Sequence, residues 1–491
     1  MKPIQQPLTL FLVGATGDLA KKKILKALYG LHKEGLLPER FRLIGNSRKE
    51  FTDTQFQEFI HEVIKPEDAS QWQRFAKTVH YVTGDIDKIE TFHELRKLHD
   101  SLGACGNHLW YIATLPSLYI QTVRNIKATG FDHTDCGWTK IMLEKPFGTN
   151  VETAHELDHA LMEVFTEDQI YRIDHFLAKE TVQNLLVFRF ANGIFEHLWH
   201  RDFIDHIQVI AAEDFGIEGR EVFYEQTGTV RDVVQNHVLQ MLAMTLMDEP
   251  NSLAAHDIRE KRHQILQSFR PFTPSEISKS VAFGQYTAGE IDGNPVRGYK
   301  EEKGIPSNSK TETAVALRSF VDLPRWKNVP LYIRAGKRLS RTVTEISIVF
   351  KEIPNKMFEH VEKNQGNILT LRIQPNEGVV VFLKVKKPGL HLELDEVPMQ
   401  FCYRDNFQMG LVEAYVKLIY DAVQGDPTLF PRSDGIETSW QYVQPLLDYK
   451  MQPKFSVDPY AAGSWGPKSF DKVIQQDGRE WIQPSIEVCA L

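Results

Sequence analysis

A short polar segment, residues 171–184, combines side chains that could move a proton and hold a phosphate. It contains Asp174, His175 and Lys179 within six positions. An imidazole titrates near neutral pH, and a histidine and a lysine four positions apart share one face of a helix, where they could bind a phosphate group. A solvated helix face has the same pattern, so this segment alone leaves both interpretations open.

A second segment, residues 228–240, places Asp232 and His237 on an otherwise apolar helical pattern. Buried polar side chains need hydrogen-bonding partners, so these two residues form either a satisfied core pair or the lining of an active site. By itself the segment favours the core interpretation.

A lysine, Lys145, follows the fifth predicted strand in the sequence Leu-Glu-Lys-Pro-Phe-Gly. Ligands of doubly wound sheets bind at the carboxyl ends of the strands, so Lys145 is placed to reach both a cofactor and a substrate. An ordinary solvated loop lysine is the alternative interpretation.

The stretch 14–20, Gly-Ala-Thr-Gly-Asp-Leu-Ala, lies between the first predicted strand and the first predicted helix. A strand that turns directly into a helix points free N–H groups and the positive end of the helix dipole at the turn, which suits a pyrophosphate. Gly14 permits the tight turn, Gly17 lets a ligand approach the backbone, and Ala20 allows close helix–strand packing. The pattern predicts a dinucleotide site, with a purely structural turn as the alternative.

The end of the second predicted strand discriminates between cofactors. Enzymes that use NAD usually place a carboxylate there for the ribose 2′-hydroxyl, whereas this chain has Ser47, Arg48 and Lys49. An arginine fork suits a 2′-phosphate, so we predict NADP as the cofactor and Arg48 as the main discriminator. A solvated basic loop is the alternative.

The elements that must position these residues change character near residue 180. Before it, short apolar runs alternate with helical patterns, which predicts an α/β, Rossmann-like, doubly wound domain over 1–180. After it, alternating apolar and polar runs dominate, which predicts a larger α+β domain with a mostly antiparallel sheet over 181–491. The strands predicted first are Leu8–Val13, Phe41–Gly45, Val79–Val82, His108–Ala113 and Lys140–Leu143, and the helices include Lys21–Glu34 and 228–247.

Composition narrows the function further. The 491 residues carry a formal net charge of −8, so a basic footprint for nucleic acid is absent and we expect no nucleic-acid partner. No apolar run approaches the length of a membrane span, and the four cysteines form no Cys-x-x-Cys pair. We therefore expect no membrane association, no metal site, no disulfide framework, buried cysteine thiols and a cytoplasmic location.

Seven stretches together resemble one family, glucose-6-phosphate dehydrogenase. They are GATGDLAKKK at 14–23, EKPFG at 144–148, RIDHFLAKE at 172–180, RDVVQNH at 231–237, YIRAGKRL at 332–339, GDPTLFPRSDGIETSW at 425–440 and AGSWGP at 462–467. The resemblance covers essentially the whole chain, and the RIDH and QNH segments are its most specific parts. It implies oxidation of glucose 6-phosphate at C1 to 6-phosphoglucono-1,5-lactone with reduction of NADP+, the first step of the oxidative pentose phosphate pathway.

The resemblance also assigns roles to residues. His237 is implied to be the base that takes the C1 hydroxyl proton, and Asp174 to orient it and stabilise its imidazolium. The implied substrate-binding residues are Lys145, His175, Lys179, Glu213, Asp232 and Lys337. The implied cofactor-binding residues are Gly14, Ala15, Thr16, Gly17, Asp18, Leu19, Lys23, Ser47, Arg48, Asp85, Ile86 and Lys145. The family also implies a homodimer or a homotetramer.

Three positions depart from the family pattern. Phe176 replaces a usual tyrosine, Ala178 replaces a usual glycine, and Thr342 stands where a basic residue is common, with Arg341 beside it as a substitute. A missing hydrogen bond to a charged phosphate is worth about 1.5–3 kcal/mol, so these departures bear on substrate affinity rather than on the reaction.

Two other functions compete with this one. An NADP-dependent sugar oxidoreductase of the glucose–fructose oxidoreductase type also pairs a dinucleotide domain with an open sheet and a Glu-Lys-Pro motif, but it does not explain the RIDH and QNH segments. A catalytically impaired homologue that senses NADP or a phosphosugar would be favoured by replacement of Asp174 or His237, and both residues are present.

Overall fold

The computed structural model describes residues 2–103, 105–352, 366–407 and 413–484. Contact clustering divides the chain into two compact units. The first comprises Met1–Ala178, Asn251–Arg259 and Val412–Glu437, and the second comprises Lys179–Pro250, Glu260–Leu411 and Thr438–Leu491.

The first unit is built on a six-stranded sheet in which every strand pair is parallel. Its central strands are mostly apolar and buried along their whole length, as expected for strands that are covered on both faces. The spatial order is β3-β2-β1-β4-β5-β6, which reverses direction beside β1 and confirms the predicted doubly wound, Rossmann-like sheet. The strands are β1 Leu8–Val13, β2 Phe41–Ser47, β3 Val79–Thr83, β4 Asn107–Ile112, β5 Thr139–Leu143 and β6 Ile170–Arg172.

The second unit is built on a nine-stranded sheet of order β16-β15-β14-β13-β7-β12-β11-β8-β17. Most of its strand pairs are antiparallel, as predicted, but β7 pairs with β12 and β8 with β17 in parallel. The strands are β7 Ile204–Ala212, β8 Val281–Thr287, β11 Ala314–Ser319, β12 Leu331–Gly336, β13 Val343–Phe350, β14 Ile368–Gln374, β15 Gly378–Lys386, β16 Leu394–Cys402 and β17 Asp458–Ala461, and a separate hairpin is formed by β9 Gly289–Ile291 and β10 Asn294–Val296.

Helices cover these sheets, and two of the helical stretches have π geometry, Ala20–Ile24 and Val230–Val238. The α-helices are α1 Leu25–Lys33, α2 Asp53–Ile64, α3 Ala69–Ala76, α4 Ile89–Ser101, α5 Tyr119–Ala128, α6 Val151–Met162, α7 Glu180–Phe190, α8 Gly193–Glu196, α9 Glu221–Thr229, α10 Leu239–Leu246, α11 Ala255–Ser268, α12 Pro274–Ser280, α13 Tyr403–Asn406, α14 Ala414–Gln424, α15 Ser433–Lys450 and α16 Lys468–Gln475. Within the described ranges, none of them has the length and apolarity needed to span a bilayer.

The cysteines differ from the sequence-based expectation. Cys105 and Cys136 are exposed rather than buried, and they form a disulfide with their Cα atoms 5.6 Å apart. Cys402 is buried but is also disulfide-bonded, and Cys489 lies outside the described residues. The prediction of free thiols was wrong because pairing depends on which loops meet, which spacing in the sequence does not reveal.

Candidate active site

The turn after β1 has the backbone that a dinucleotide site requires. Gly14 has a φ of +82°, and a Cβ atom there would overlap the carbonyl oxygen of Ala113. The N–H groups of Gly14 and Ala15 donate to the carbonyl oxygen of Asn46, at 2.9 and 3.0 Å, which ties the turn to the end of β2. Only glycine satisfies both the positive φ and the close approach, as the sequence predicts.

The helix that follows starts at this turn. The N–H of Gly17 donates to the carbonyl oxygen of Gly14 at 2.9 Å, and the N–H of Lys21 donates to that of Gly17 at 3.0 Å. Asp18 and Leu19 open the helical backbone, and Ala20 is fully buried. The first N–H groups of a helix have no acceptor within it, so this turn offers donors to a pyrophosphate.

The end of β2 is fixed by hydroxyl groups. Thr16 Oγ1 lies 2.9 Å from Ser47 Oγ, which in turn lies 2.7 Å from the hydroxyl of Tyr81. The hydroxyl of Tyr81 donates to the carbonyl oxygen of Lys49 at 2.7 Å. Arg48, between these anchored neighbours, is exposed, so the backbone is held while its guanidinium faces solvent.

Three other predicted cofactor residues have protein partners in the first unit. The ammonium of Lys23 lies 3.0 Å from Glu413, just before α14. The carbonyl oxygen of Asp85 accepts from the Thr91 hydroxyl at 2.7 Å, and Ile86 is buried.

Lys145, Asp174 and His175 lie at the carboxyl ends of two neighbouring strands. Lys145 comes two residues after β5, with a cis bond to Pro146, and Asp174 comes two residues after β6, which pairs with β5. Asp174 is 3% exposed and accepts a hydrogen bond from the Phe176 N–H at 3.0 Å. This is the edge of the sheet at which ligands of doubly wound folds bind.

The segment from Asp174 to Lys179 is not helical, so the prediction of a shared helix face for His175 and Lys179 was wrong. Residues 175–178 form a turn, and α7 begins only at Glu180. Lys179 has an extended backbone (φ −68°, ψ 135°), which ends the turn before a helical face can form. Its ammonium lies 3.9 Å from a carboxylate oxygen of Glu377.

Three predicted substrate residues of the second unit converge on one charge cluster. Glu213 follows β7 and Lys337 follows β12, and these strands are parallel neighbours, with the Glu213 N–H donating to the carbonyl oxygen of Gly336 at 2.9 Å. Lys337 is 1% exposed, donates a short hydrogen bond to Glu213 and lies 3.8 Å from Asp232. The rings of Phe215 and Tyr224 lie 5.2 and 5.3 Å from its ammonium.

His237 shares the π-helical stretch Val230–Val238 with Asp232. His237 is 3% exposed and Asp232 is 7% exposed, so both side chains are buried. Hydrogen bonds in a π-helix join residues five apart, which is the separation of these two residues, and π-helical turns recur at functional sites.

Three carboxylates next to predicted site residues were missed by sequence reasoning. Glu377 pairs with Lys179, Glu413 pairs with Lys23, and Glu144 lies between β5 and Lys145. Glu377 and Glu413 are distant in sequence from the lysines that they contact, so no local pattern could identify them. Glu144 had a signal, its place at the carboxyl end of a strand.

The departures from the family pattern have local structural roles. Phe176 and Ala178 are buried, at 8% and 2% exposure. The Thr342 hydroxyl donates to Asp214 at 2.5 Å, and the guanidinium of Arg341 donates to the carbonyl oxygen of Pro484 at 3.2 Å. Arg341 therefore has a partner other than a substrate.

The fold and these residues define a class of protein. A doubly wound sheet with a pyrophosphate-binding turn, joined in one chain to an open sheet that carries a buried histidine and a lysine–carboxylate cluster, is typical of nicotinamide-dependent sugar dehydrogenases.

Comparisons with known proteins identify the particular family. Residues 11–184 match the glucose-6-phosphate dehydrogenase NAD binding domain, and residues 186–482 match the glucose-6-phosphate dehydrogenase C-terminal domain. The chain belongs to the glucose-6-phosphate dehydrogenase family. This membership confirms the predicted family, its two-part fold, its cofactor-binding domain and its class of enzyme, and it decides against the glucose–fructose oxidoreductase type.

Individual relatives agree over their whole length. Glucose-6-phosphate 1-dehydrogenase of Aggregatibacter actinomycetemcomitans is 43% identical over 483 residues, covering 97% of this chain and 97% of the relative. That of Bacillus subtilis is 36% identical, covering 98% and 99%. A solved glucose-6-phosphate dehydrogenase in complex with glucose 6-phosphate is 31% identical with a TM-score of 0.90, covering 98% of this chain and 100% of that chain.

Proposed function

We propose that the chain oxidises glucose 6-phosphate at C1 to 6-phosphoglucono-1,5-lactone with NADP+ as the acceptor. The observation that carries this proposal is the convergence of Glu213, Asp232 and Lys337 on one charge cluster, in which Asp232 and Lys337 are buried and Glu213 is partly exposed, on a unit whose π-helix also carries His237. These residues are remote in sequence, and a buried cluster with unequal charges is more typical of a polar ligand site than of a core.

The proposed chemistry separates a proton from a hydride. His237 takes the proton of the C1 hydroxyl, because a neutral imidazole is a suitable base near neutral pH. Asp174 is proposed to stabilise the resulting imidazolium, and its carboxylate is already fixed by the Phe176 N–H. NADP+, when bound, accepts the hydride from C1.

We propose that one group of residues binds the phosphate of the substrate and another binds its sugar hydroxyls. His175 and Lys179 bind the phosphate, and Glu213 and Asp232 accept from sugar hydroxyls. Lys337 also contacts the sugar and offsets part of the charge of that carboxylate pair. A cation next to two carboxylates favours their ionised, hydrogen-bond-accepting form. Lys145 is proposed to contact both substrate and cofactor.

The residues present fit NADP. The backbone at Gly14 leaves room that a Cβ would fill, the adjacent helix start supplies N–H donors, and the exposed Arg48 suits a 2′-phosphate. Thr16, Ser47, Asp85 and Ile86 are proposed to line the remainder of this cofactor site.

The test is an absorbance assay of NADPH formation. We expect activity with glucose 6-phosphate and NADP+, much lower activity with unphosphorylated glucose, and a lower kcat/KM with NAD+. Bound NADP+ without turnover of glucose 6-phosphate would contradict the proposal and favour a sensing homologue. Equal kcat/KM values for glucose and glucose 6-phosphate would contradict the phosphate site.

We also propose that residues 1–180 and 181–491 are the two domains along the sequence, in line with the two matched family domains, although 251–259 and 412–437 belong to the first compact unit. We propose further that the chain is cytoplasmic and that it forms a homodimer or a homotetramer. Five apolar residues on one face of β15 and β16 are at least partly exposed, which supports an interface on this sheet: Val381, Leu383, Val385, Val397 and Met399. Light scattering after gel filtration tests this, with Met399→Asp expected to shift the population toward monomer. A monomeric wild-type chain would contradict it.

A further inference from the structure

Glu144, which no part of the proposed reaction uses, is surrounded by three tyrosines of the first unit. Its carboxyl group accepts a hydrogen bond from the Tyr111 hydroxyl of β4 at 2.6 Å and is also hydrogen-bonded to the Tyr415 side chain of α14. The Tyr119 hydroxyl of α5 donates instead to the Glu144 backbone carbonyl oxygen, at 2.8 Å. Two phenols thus fix the carboxyl group, and a third fixes the backbone.

The charged groups around this carboxyl are residues of the proposed site. Lys145 favours the ionised form and Asp174 disfavours it. Desolvation is the largest influence and raises the pKa of Glu144 to about 7. Burial raises the pKa values of the surrounding tyrosines, so their hydroxyls remain donors at neutral pH.

The tyrosine from α14 is itself tied to the cofactor turn. The Tyr415 N–H donates to the side chain of Glu413 at 2.8 Å, and Glu413 also pairs with Lys23 at 3.0 Å. Tyr415, which binds the Glu144 carboxyl group, is therefore connected through Glu413 to Lys23, in the helical segment that follows the glycine turn.

We propose that Glu144 is a positioning residue, whose carboxylate, fixed by Tyr111 and Tyr415, holds the ammonium of Lys145 in place for its anionic ligands. The role rests on the proposed function, which places Lys145 against both substrate and cofactor. A glutamine would keep an acceptor for the two phenols, so what the glutamate adds is its negative charge.

The test compares kcat/KM for glucose 6-phosphate across pH 5.5 to 9 in the wild type and in Glu144→Gln. Dividing the wild-type value by the Glu144→Gln value cancels every titration that the two proteins share. We expect a ratio near one at low pH, where Glu144 is neutral. Above neutrality the wild-type kcat/KM should exceed that of Glu144→Gln by roughly fivefold, as expected for the loss of one partly screened charge pair. The difference should lie in KM, with kcat unchanged.

Two further variants distinguish an effect of the Glu144 charge from an effect of the local backbone structure. Tyr415→Phe removes a donor to the carboxylate, so the midpoint of the pH effect should move upward. Tyr119→Phe removes only the backbone anchor and should leave that midpoint unchanged.

A ratio that does not change with pH, whether near one or far from it, would overturn the role of Glu144 while leaving the proposed function intact. A wild-type chain that forms no NADPH would contradict the proposed function itself, and this role with it. A pH-dependent ratio with an unchanged midpoint in Tyr119→Phe would support the role.

Discussion

Arg48 offers the sharpest test of cofactor choice, because its neighbours are anchored while its side chain is exposed. Ser47 and Lys49 are held by the hydroxyl of Tyr81, so replacing Arg48 should change the charge without moving the backbone. In Arg48→Ala the proposed 2′-phosphate partner is lost.

The expected magnitude follows from the kind of hydrogen bond. A bond between charged groups is worth about 1.5–3 kcal/mol, and a factor of ten corresponds to about 1.4 kcal/mol, so kcat/KM for NADP+ should fall by roughly 10- to 150-fold. The exposure of Arg48 places the expected value toward the lower end at physiological salt. NAD+ lacks the 2′-phosphate, so its kcat/KM should change by less than about threefold.

The adjacent Lys49 provides a matched control. It is also exposed and basic, but its ammonium makes a cation–π contact with the Phe51 ring, 4.5 Å from the ring centroid. Lys49→Ala should leave the ratio of NADP+ to NAD+ efficiency within about twofold. Equal losses with both cofactors in Arg48→Ala, measured by initial rates, would refute the reasoning.

Three further predictions concern the substrate site and stability. Lys337→Met should raise KM for glucose 6-phosphate and lower the free energy of unfolding by about 3 kcal/mol in urea titrations, because it removes the cation beside the buried Asp232 carboxylate and the partly exposed Glu213 carboxylate; unchanged stability would contradict this. Phe176→Tyr should lower KM for glucose 6-phosphate about tenfold, with kcat within about twofold, because the added hydroxyl supplies a hydrogen bond to the phosphate, and an unchanged KM would contradict this. Burial lowers the pKa of Lys140 to about 8, so from pH 8 to 10.5 the unfolded chain binds more protons and stability rises with pH. Relative to Lys140→Met, the wild type should therefore gain about 2 kcal/mol between pH 7 and 9.5, and a difference that does not change with pH would contradict the assigned pKa.

Much of the first unit could be predicted because its signals are local. The strand Leu8–Val13 is apolar except for Thr9, and Gly14 follows it where the backbone needs a positive φ. The turn at 175–178 could not be predicted, because helical spacing does not reveal the extended backbone of Lys179. The spacing of side chains along the sequence therefore misled the prediction there, because the backbone is not helical.

Contacts between distant parts of the chain account for the rest of what was missed. Segments 251–259 and 412–437 join the first unit although they follow most of the second in sequence. Lys140 illustrates why, because its ammonium donates to the carbonyl oxygen of Ala422, at the end of α14 and 282 residues away, at 2.8 Å. For Glu213 and Lys337, the resemblance assigned a shared function, and the parallel pairing of β7 with β12 explains how they meet.

The central claim is that His237 is the base that removes the C1 hydroxyl proton, and His237→Asn tests it most directly. Asparagine keeps a polar group near the position of the imidazole Nδ1 but cannot accept the proton at neutral pH. We expect kcat for NADPH formation from glucose 6-phosphate to fall by roughly 10²- to 10⁴-fold, with the dissociation constant for NADP+ within about twofold of the wild-type value. A variant that binds NADP+ normally and retains wild-type kcat would contradict the claim.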